Sequence, residues 1–265
     1  MKTALQALLI GFMTVTTSLY GEIFEISAFR DVSKYAKKRT IFLVDLDDTL
    51  FIPDQTLGSF AWFKYRYEQN IDSGLDSAKA LQKTQQEWEA VQALTGVHIV
   101  ADDITPFLDE IASGGFRTIG ITSRRYTSAP VTQNQLSLLN LKFYPAADKG
   151  SFFRAGSQAV LFLKGVLYAD WENKLEATAK LLKTMRLHPR YITYISGNLD
   201  DLYLLEQLAN SDRVEFTGLY YNPPTNNSCT EFRSDVADVE WIFSSFECII
   251  SDATAKEYLE YLSPK

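Results

Sequence analysis

Two aspartates, Asp45 and Asp47, stand two residues apart at the end of a short apolar run, Ile41-Phe42-Leu43-Val44. Four consecutive apolar residues, half of them Ile or Val, predict a strand buried on both faces. Just past such a strand, two carboxylates at this spacing can point into one crevice. One can act as nucleophile and the other as general acid and base. A second buried strand is predicted over Arg117 to Ile121, ending in Thr122, a hydroxyl donor, with Arg124 close by. Lys174 lies near the start of a further helical pattern and supplies a point charge. Carboxylate nucleophile, hydroxyl and ammonium together suit transfer of a phosphoryl group, whose equatorial oxygens need donors.

The elements that must position these residues follow from periodicity. Apolar residues at helical spacing predict helices over Ile26 to Lys38, Phe60 to Glu68, Ala78 to Leu94, Asp103 to about Ala112, Val131 to Leu141, Asn173 to Arg186 and Asn198 to about Ala209. Phe232 to Leu262 is also mostly helical in pattern. Tyr191 to Ile195 and Val214 to Tyr220 predict strands, and Ser151 to Asp170 a short hairpin with Gly156 near its turn. Residues 51–59, with Pro53 and Gly58, predict a loop. Short apolar strands alternating with helices imply βαβ crossovers, hence an α/β fold with a parallel sheet flanked by helices. On such sheets ligands bind at the carboxyl ends of the strands. Residues 51–112 break the rhythm with helices alone, which predicts an insert over the strand ends.

Composition bounds the function classes. The chain has 265 residues, 46% hydrophobic and 22% charged, enough to bury a sizeable core without staples. Its formal net charge is -7, which argues against a broad basic face for nucleic acid. Two cysteines, Cys229 and Cys248, are too few for a disulfide scaffold or a four-thiolate zinc site. The histidines are His98 and His188 alone, which excludes a three-histidine metal centre. Lys2, the apolar run Ala4 to Val15 and the small residues Thr16 to Ser18 have the layout of a secretory signal peptide. Residues 1–21 are therefore expected to be removed, with cleavage after Ser18 or Gly21, and 22–265 to form the mature domain. The run is shorter than the roughly 20 residues of a spanning helix, and no later segment is long and apolar enough to span. A secreted or periplasmic address is the expectation.

Val44-Asp45-Leu46-Asp47-Asp48-Thr49-Leu50 resembles the first motif of the haloacid dehalogenase (HAD) superfamily. Ile119-Gly120-Ile121-Thr122 is similar to its second motif and Lys174 to its third, in the same chain order. The signal segment, Leu57-Gly58-Ser59 with Trp62, and Glu87-Trp88 resemble a secreted branch of that superfamily known from intracellular bacteria. The resemblance implies a Rossmannoid sheet with a helical cap over about 51–112, and hydrolysis of a phosphorylated small molecule. Asp45 would form an aspartyl phosphate, and Asp47 would protonate the leaving oxygen and then activate water. Thr122 and Lys174 would hold the phosphoryl oxygens, with Arg124 lining the same site. Mg2+ would bridge Asp45, the Asp47 carbonyl and the substrate. The fourth motif departs from the pattern. It should place an acid directly after the Tyr191 strand, but Ser196-Gly197-Asn198-Leu199 stands there, and acids return only at Asp200 and Asp201. These two are the candidates for the missing metal ligand.

Each residue also has a plainer use. An Asp pair after a strand is often turn chemistry or a helix cap. Asp200 and Asp201 suit the first turn of a helix capped by Asn198. Cys229 and Cys248 could bridge or stay free, and Asn226-Asn227-Ser228 fits a glycosylation sequon. The rival to a magnesium-dependent phosphomonoesterase is a catalytically weakened scaffold of the same fold that binds a ligand or a protein partner. Dehalogenase or phosphomutase chemistry stands further off.

Overall fold

A computed structural model describes residues 21–143, 150–223, 232–244 and 250–262. The signal segment before residue 21, the 226–228 sequon, Cys229 and Cys248 lie outside the described residues. The chain forms a mixed α/β fold around a mainly parallel sheet flanked by helices, as the sequence predicts. Its strands in chain order are β1 (Glu22–Ile26), β2 (Thr40–Asp45), β5 (Arg117–Thr122), β6 (Ser151–Ala155), β7 (Gln158–Leu163), β8 (Val166–Tyr168), β9 (Tyr191–Ser196) and β10 (Glu215–Tyr221). The spatial order is β1-β10-β9-β2-β5-β8-β7-β6. Pairing is parallel from β1 through β8 and antiparallel for β8–β7–β6. The expected hairpin is thus the antiparallel margin of the main sheet, joined to it through β8.

β2 sits at the middle of this sheet, between β9 and β5, and every one of its residues is buried. Strand alternation divides its side chains between two cores. Phe42 and Val44 pack with Phe29, Phe107 and Leu136, whereas Ile41 and Leu43 pack with Leu181, Leu202 and Leu205. The first core is covered by a 3-10 helix (Phe29–Tyr35), α3 (Ile104–Ser113) and α4 (Ala129–Leu138). The second is covered by α5 (Lys174–Thr184) and α6 (Leu199–Asp212). Because the strands are parallel, β2, β5 and β9 deliver their last residues, Asp45, Thr122 and Ser196, to one edge.

Two expectations need correction. No strand was expected over Glu22–Ile26, which forms β1, and the helix predicted over Ile26 to Lys38 is a shorter 3-10 helix, Phe29–Tyr35. β1 is an edge strand with mixed exposure, so it lacks the continuous apolar run that marks the inner strands. The loop predicted over 51–59 contains β3 (Phe51–Pro53), which pairs antiparallel with β4 (Val97–Ile99). Three-residue strands are too short to leave a periodic signal.

Between β3 and β4 lie α1 (Phe60–Asp72) and α2 (Ser77–Gln92). Ser59 caps α1, its Oγ accepting from the Trp62 N–H at 3.1 Å, and Asp76 caps α2, accepting from the Lys79 N–H at 2.9 Å. These helices share a separate core of Leu57, Trp62, Phe63, Trp88 and Val91 with Ala237. Ala237 comes from α7 (Ser234–Ser244), which packs with α8 (Asp252–Leu262). α3, inside the predicted insert range, packs on β5 and the sheet core instead.

Candidate active site

Asp45 ends β2 with its side chain almost wholly buried. The Lys174 ammonium, equally buried at the first turn of α5, donates to Asp45 Oδ1 at 2.7 Å. Thr49 Oγ1 donates to Asp45 Oδ2 at 3.0 Å, and Ser196 Oγ lies 3.5 Å from the same oxygen. Lys174 also donates to Asp201 Oδ2. One ammonium therefore serves two carboxylates. Burial pushes the Asp45 carboxyl up to about 6 against the pull of Lys174, and the Asp201 charge adds to the rise. Burial works against the Lys174 charge, but the Asp45 and Asp201 carboxylates outweigh it and hold the ammonium protonated.

Asp47 turns to the other side of the same turn. Its Oδ2 accepts from Thr122 Oγ1 at 2.7 Å, and its Oδ1 accepts from Arg124 Nε at 3.0 Å and Nη2 at 2.7 Å. Arg124 is buried, while the Asp47 side chain keeps 28% exposure toward the cavity. The remaining Arg124 donors reach Thr132 Oγ1 at 3.0 Å, Gln135 Oε1 at 2.6 Å and Gln92 Oε1 at 3.0 Å. The guanidinium also lies over the Phe51 and Trp88 rings. Between the two acids the chain closes tightly: the Leu46 carbonyl accepts from the N–H groups of Thr49, Leu50 and Phe51. Asp48 takes a left-handed φ of 59°, a conformation Asp tolerates better than most residues.

The turn after β9 is tied to this loop by neutral groups. The Gly197 N–H donates to Thr49 Oγ1 at 2.9 Å, and the Asn198 N–H to Ser196 Oγ at 3.0 Å. A Cβ at Gly197 would lie 3.1 Å from the Asp48 carbonyl oxygen. Asn198 caps α6 by accepting from the Asp200 N–H at 3.0 Å. Asp201 faces the cavity, whereas Asp200 is exposed and does not line it.

The predicted residues thus gather in two groups, Asp45 with Lys174 and Asp201, and Asp47 with Thr122 and Arg124. Asp45, Asp47, Lys174 and Asp201 border a cavity of about 630 Å³, while Thr122 and Arg124 are buried and do not line it. Asp200 stands apart. Sequence reasoning missed Thr49 and Ser196 as partners of Asp45 and Gln92, Thr132 and Gln135 as partners of Arg124. Thr49, four residues beyond Asp45 in a tight turn, left a local signal. The Arg124 partners come from α2 and α4 and left none.

A family model described as "Protein of unknown function (DUF2608)" matches residues 25–256. The chain belongs to that family. A Chlamydia muridarum relative named "Putative outer membrane protein" is 23% identical over 202 residues, 76% of this chain and 76% of its own length. A Chlamydia pneumoniae relative of the same description is 21% identical over 272 residues, 96% of this chain and 98% of its own length. Among solved structures, a haloacid dehalogenase-like family hydrolase from Streptococcus pneumoniae is similar at a TM-score of 0.41 with 14% identity, covering 68% of this chain and 93% of its own. The class C acid phosphatase from Bacillus anthracis is similar at 0.35 with 13% identity, covering 89% and 85%.

Proposed function

We propose that this DUF2608 chain is a phosphomonoester hydrolase of HAD type working through Asp45. The observation that carries the reading is the buried Asp45–Lys174 pair at the edge of the cavity, with Asp47 beside it. In this proposal an Asp45 oxygen attacks phosphorus while the ester P–O bond breaks. Asp47 delivers a proton to the departing alcohol oxygen. Water then attacks the aspartyl phosphate, losing a proton to Asp47, and phosphate leaves with Asp45 restored. Lys174 holds the Asp45 carboxylate and offers its charge to the phosphoryl oxygens. Thr122 and Arg124 fix the Asp47 carboxyl rather than the substrate, since their side-chain donors end on protein acceptors. In this reading the cap is formed by α1 and α2, and α3 belongs to the sheet layer.

Magnesium, which the resemblance implies, meets an incomplete donor set. Asp45 and Asp201 are both paired with Lys174, Asp47 with Arg124, and the position after β9 is glycine. Among the described residues no three His, Cys, Asp or Glu groups converge to hold a metal ion. The residues present do not fit the full ligand set, and this favours the second reading, a weakened scaffold that binds a phosphorylated ligand or a protein partner.

A screen of phosphomonoesters with added magnesium and with EDTA decides between the two. The enzyme reading expects turnover that falls to background in Asp45→Asn. No turnover with any ester, or undiminished turnover in Asp45→Asn after contaminating phosphatase is excluded, overturns it.

Export to the periplasm or beyond belongs to the same proposal. The relatives are named as outer membrane proteins, and no helix among the described residues is long and apolar enough to cross a membrane. Protein from the producing cell should begin near residue 19 or 22. Cytosolic chains retaining Met1 would refute export.

A further inference from the structure

We propose that the cavity selects phosphomonoesters whose leaving group carries a planar aromatic ring. The inference rests on the phosphatase reading for its chemistry, but the binding preference can be tested apart from turnover.

The edge of the cavity near the sheet is charged, with Asp45, Asp47, Lys174 and Asp201. The opposite wall is of another kind. α1 presents Phe60 with Phe63 and Lys64, three and four residues beyond it, and α2 presents Leu81, Gln85 and Trp88 at successive spacings of four and three. Each set forms one stripe of its helix, and both stripes face the acids. Trp171, three residues before Lys174, adds a further aromatic side chain to the cavity lining.

The rings are ordered among themselves. Phe63 stacks on Trp171 with centroids 4.8 Å apart and planes 20° apart, and Phe60 lies nearly parallel to Phe63 at 6.1 Å and 11°. Trp88 meets Trp171 edge-on at 5.3 Å. Phe60 borders the cavity yet is 46% exposed. Exposed phenyl surface at the end of a run of parallel rings is a stacking platform. Lys64, with its ammonium 4.7 Å from the Phe60 centroid, keeps positive charge at the same rim.

The polar content of the wall points the same way. The α1–α2 wall holds three polar side chains, Lys64, Gln85 and Gln92. Gln92 is committed to protein, its Nε2 donating to the Gly58 carbonyl and its Oε1 accepting from Arg124. A polyhydroxyl leaving group would leave most of its hydroxyls without partners against this surface, which is costly. A planar ring would cover apolar area and leave Gln85 to meet one polar edge. The volume of about 630 Å³ is within the usual range of small-molecule sites.

The test uses ester pairs that share a leaving oxygen and differ in the ring. Adenosine 5′-monophosphate is compared with ribose 5-phosphate, and benzyl phosphate with propyl phosphate. Binding to Asp45→Asn is measured by calorimetry, and kcat/KM on the wild type. Stacking predicts a preference of about tenfold or more for the ring-bearing member of each pair, and the ratio should shrink toward one in Phe60→Ala. A preference in the nucleotide pair alone assigns the ring to a nucleoside, and in both pairs to aryl groups generally. Equal affinities and efficiencies within both pairs, or no binding of any of the four esters, overturn the proposal. Ring-dependent binding with no turnover of any ester would overturn the phosphatase reading and retain this one. A ratio unchanged by Phe60→Ala, with Trp88→Phe equally silent, would also overturn it.

Discussion

Arg124 has five N–H donors, and they form five hydrogen bonds, to Asp47 twice and to Thr132, Gln135 and Gln92 once each. A planar fork suits this arrangement, and an ammonium with three donors cannot reproduce it. Arg124→Lys should therefore lower stability by roughly 3 kcal/mol, since breaking a buried pair leaves its partners unmatched. Urea denaturation measures this, and an unchanged midpoint would show that the five bonds are not jointly formed. Asp200 and Asp201 give a second contrast at this scale. Asp201 holds the Lys174 ammonium inside the cavity, and Asp200 is exposed outside it. Asp201→Asn should cut turnover on the best ester by about 10²-fold or more, in the range of lost electrostatic positioning. Asp200→Asn should stay within about twofold of the wild type, because a solvated charge outside the cavity is largely screened. Equal losses in steady-state assays would contradict the division. Asp45 and Asp47 were legible from their place at the end of an apolar strand, and Lys174 from its place near the start of a helical pattern. The alternatives at 200 and 201 were not separable, because one residue of helix phase decides which carboxylate turns inward.

Elements were legible in proportion to their burial. β2, β5 and β9 are almost wholly buried on both faces, and their boundaries were predicted within about one residue. β1, β3 and β4 are edge or three-residue strands, whose partners lie far along the chain. The contact of α7 and α8 with the start of the insert was equally hidden. Thr56 donates through its N–H and Oγ1 to the two Asp252 oxygens, each at 3.1 Å, and the Leu57 N–H donates to Glu240 Oε2 at 2.8 Å. Glu240 is wholly buried, and its Oε1 has no donor. Burial, with the neighbouring Asp252 carboxylate, pushes the Glu240 carboxyl up to about 8, while Lys256 pulls the other way. A proton on the Glu240 carboxyl, donated toward the Asp252 carboxylate, would relieve this. The folded chain then holds one proton more than the unfolded chain between about pH 5 and 8. Stability should fall as pH rises through that window, by at most about 1.4 kcal/mol per unit. Glu240→Gln, neutral at every pH, should remove this part of the slope. Thermal melts of both proteins between pH 5 and 8 check it, and parallel curves would place the proton elsewhere.

At the scale of the whole molecule, the α1–α2 insert is fastened on two sides. The end of α2 is held to the sheet edge, where Arg125 donates to both Glu89 oxygens and Gln135 Nε2 donates to the Gln92 carbonyl. α1 is held to α7, where Trp62 packs on Trp241, Arg66 lies over the Trp241 ring, and Tyr65 donates to Asp238 Oδ2 at 2.9 Å. The insert core is distinct from the two sheet cores. An insert with its own core and two lateral attachments should open as a local unit when one attachment is cut, without unfolding the sheet. Trp241 is half-buried, so Trp241→Ala removes less than a fully buried tryptophan would, roughly 2 kcal/mol. That corresponds to about 30-fold easier opening. Hydrogen exchange should therefore quicken by about that factor across 60–92 while β2, β5 and β9 keep their protection. Exchange that quickens equally in the central strands would mean that insert and sheet unfold together. The α7 attachment would then stabilise the entire fold, and the cavity wall would have no freedom of its own to admit a ligand.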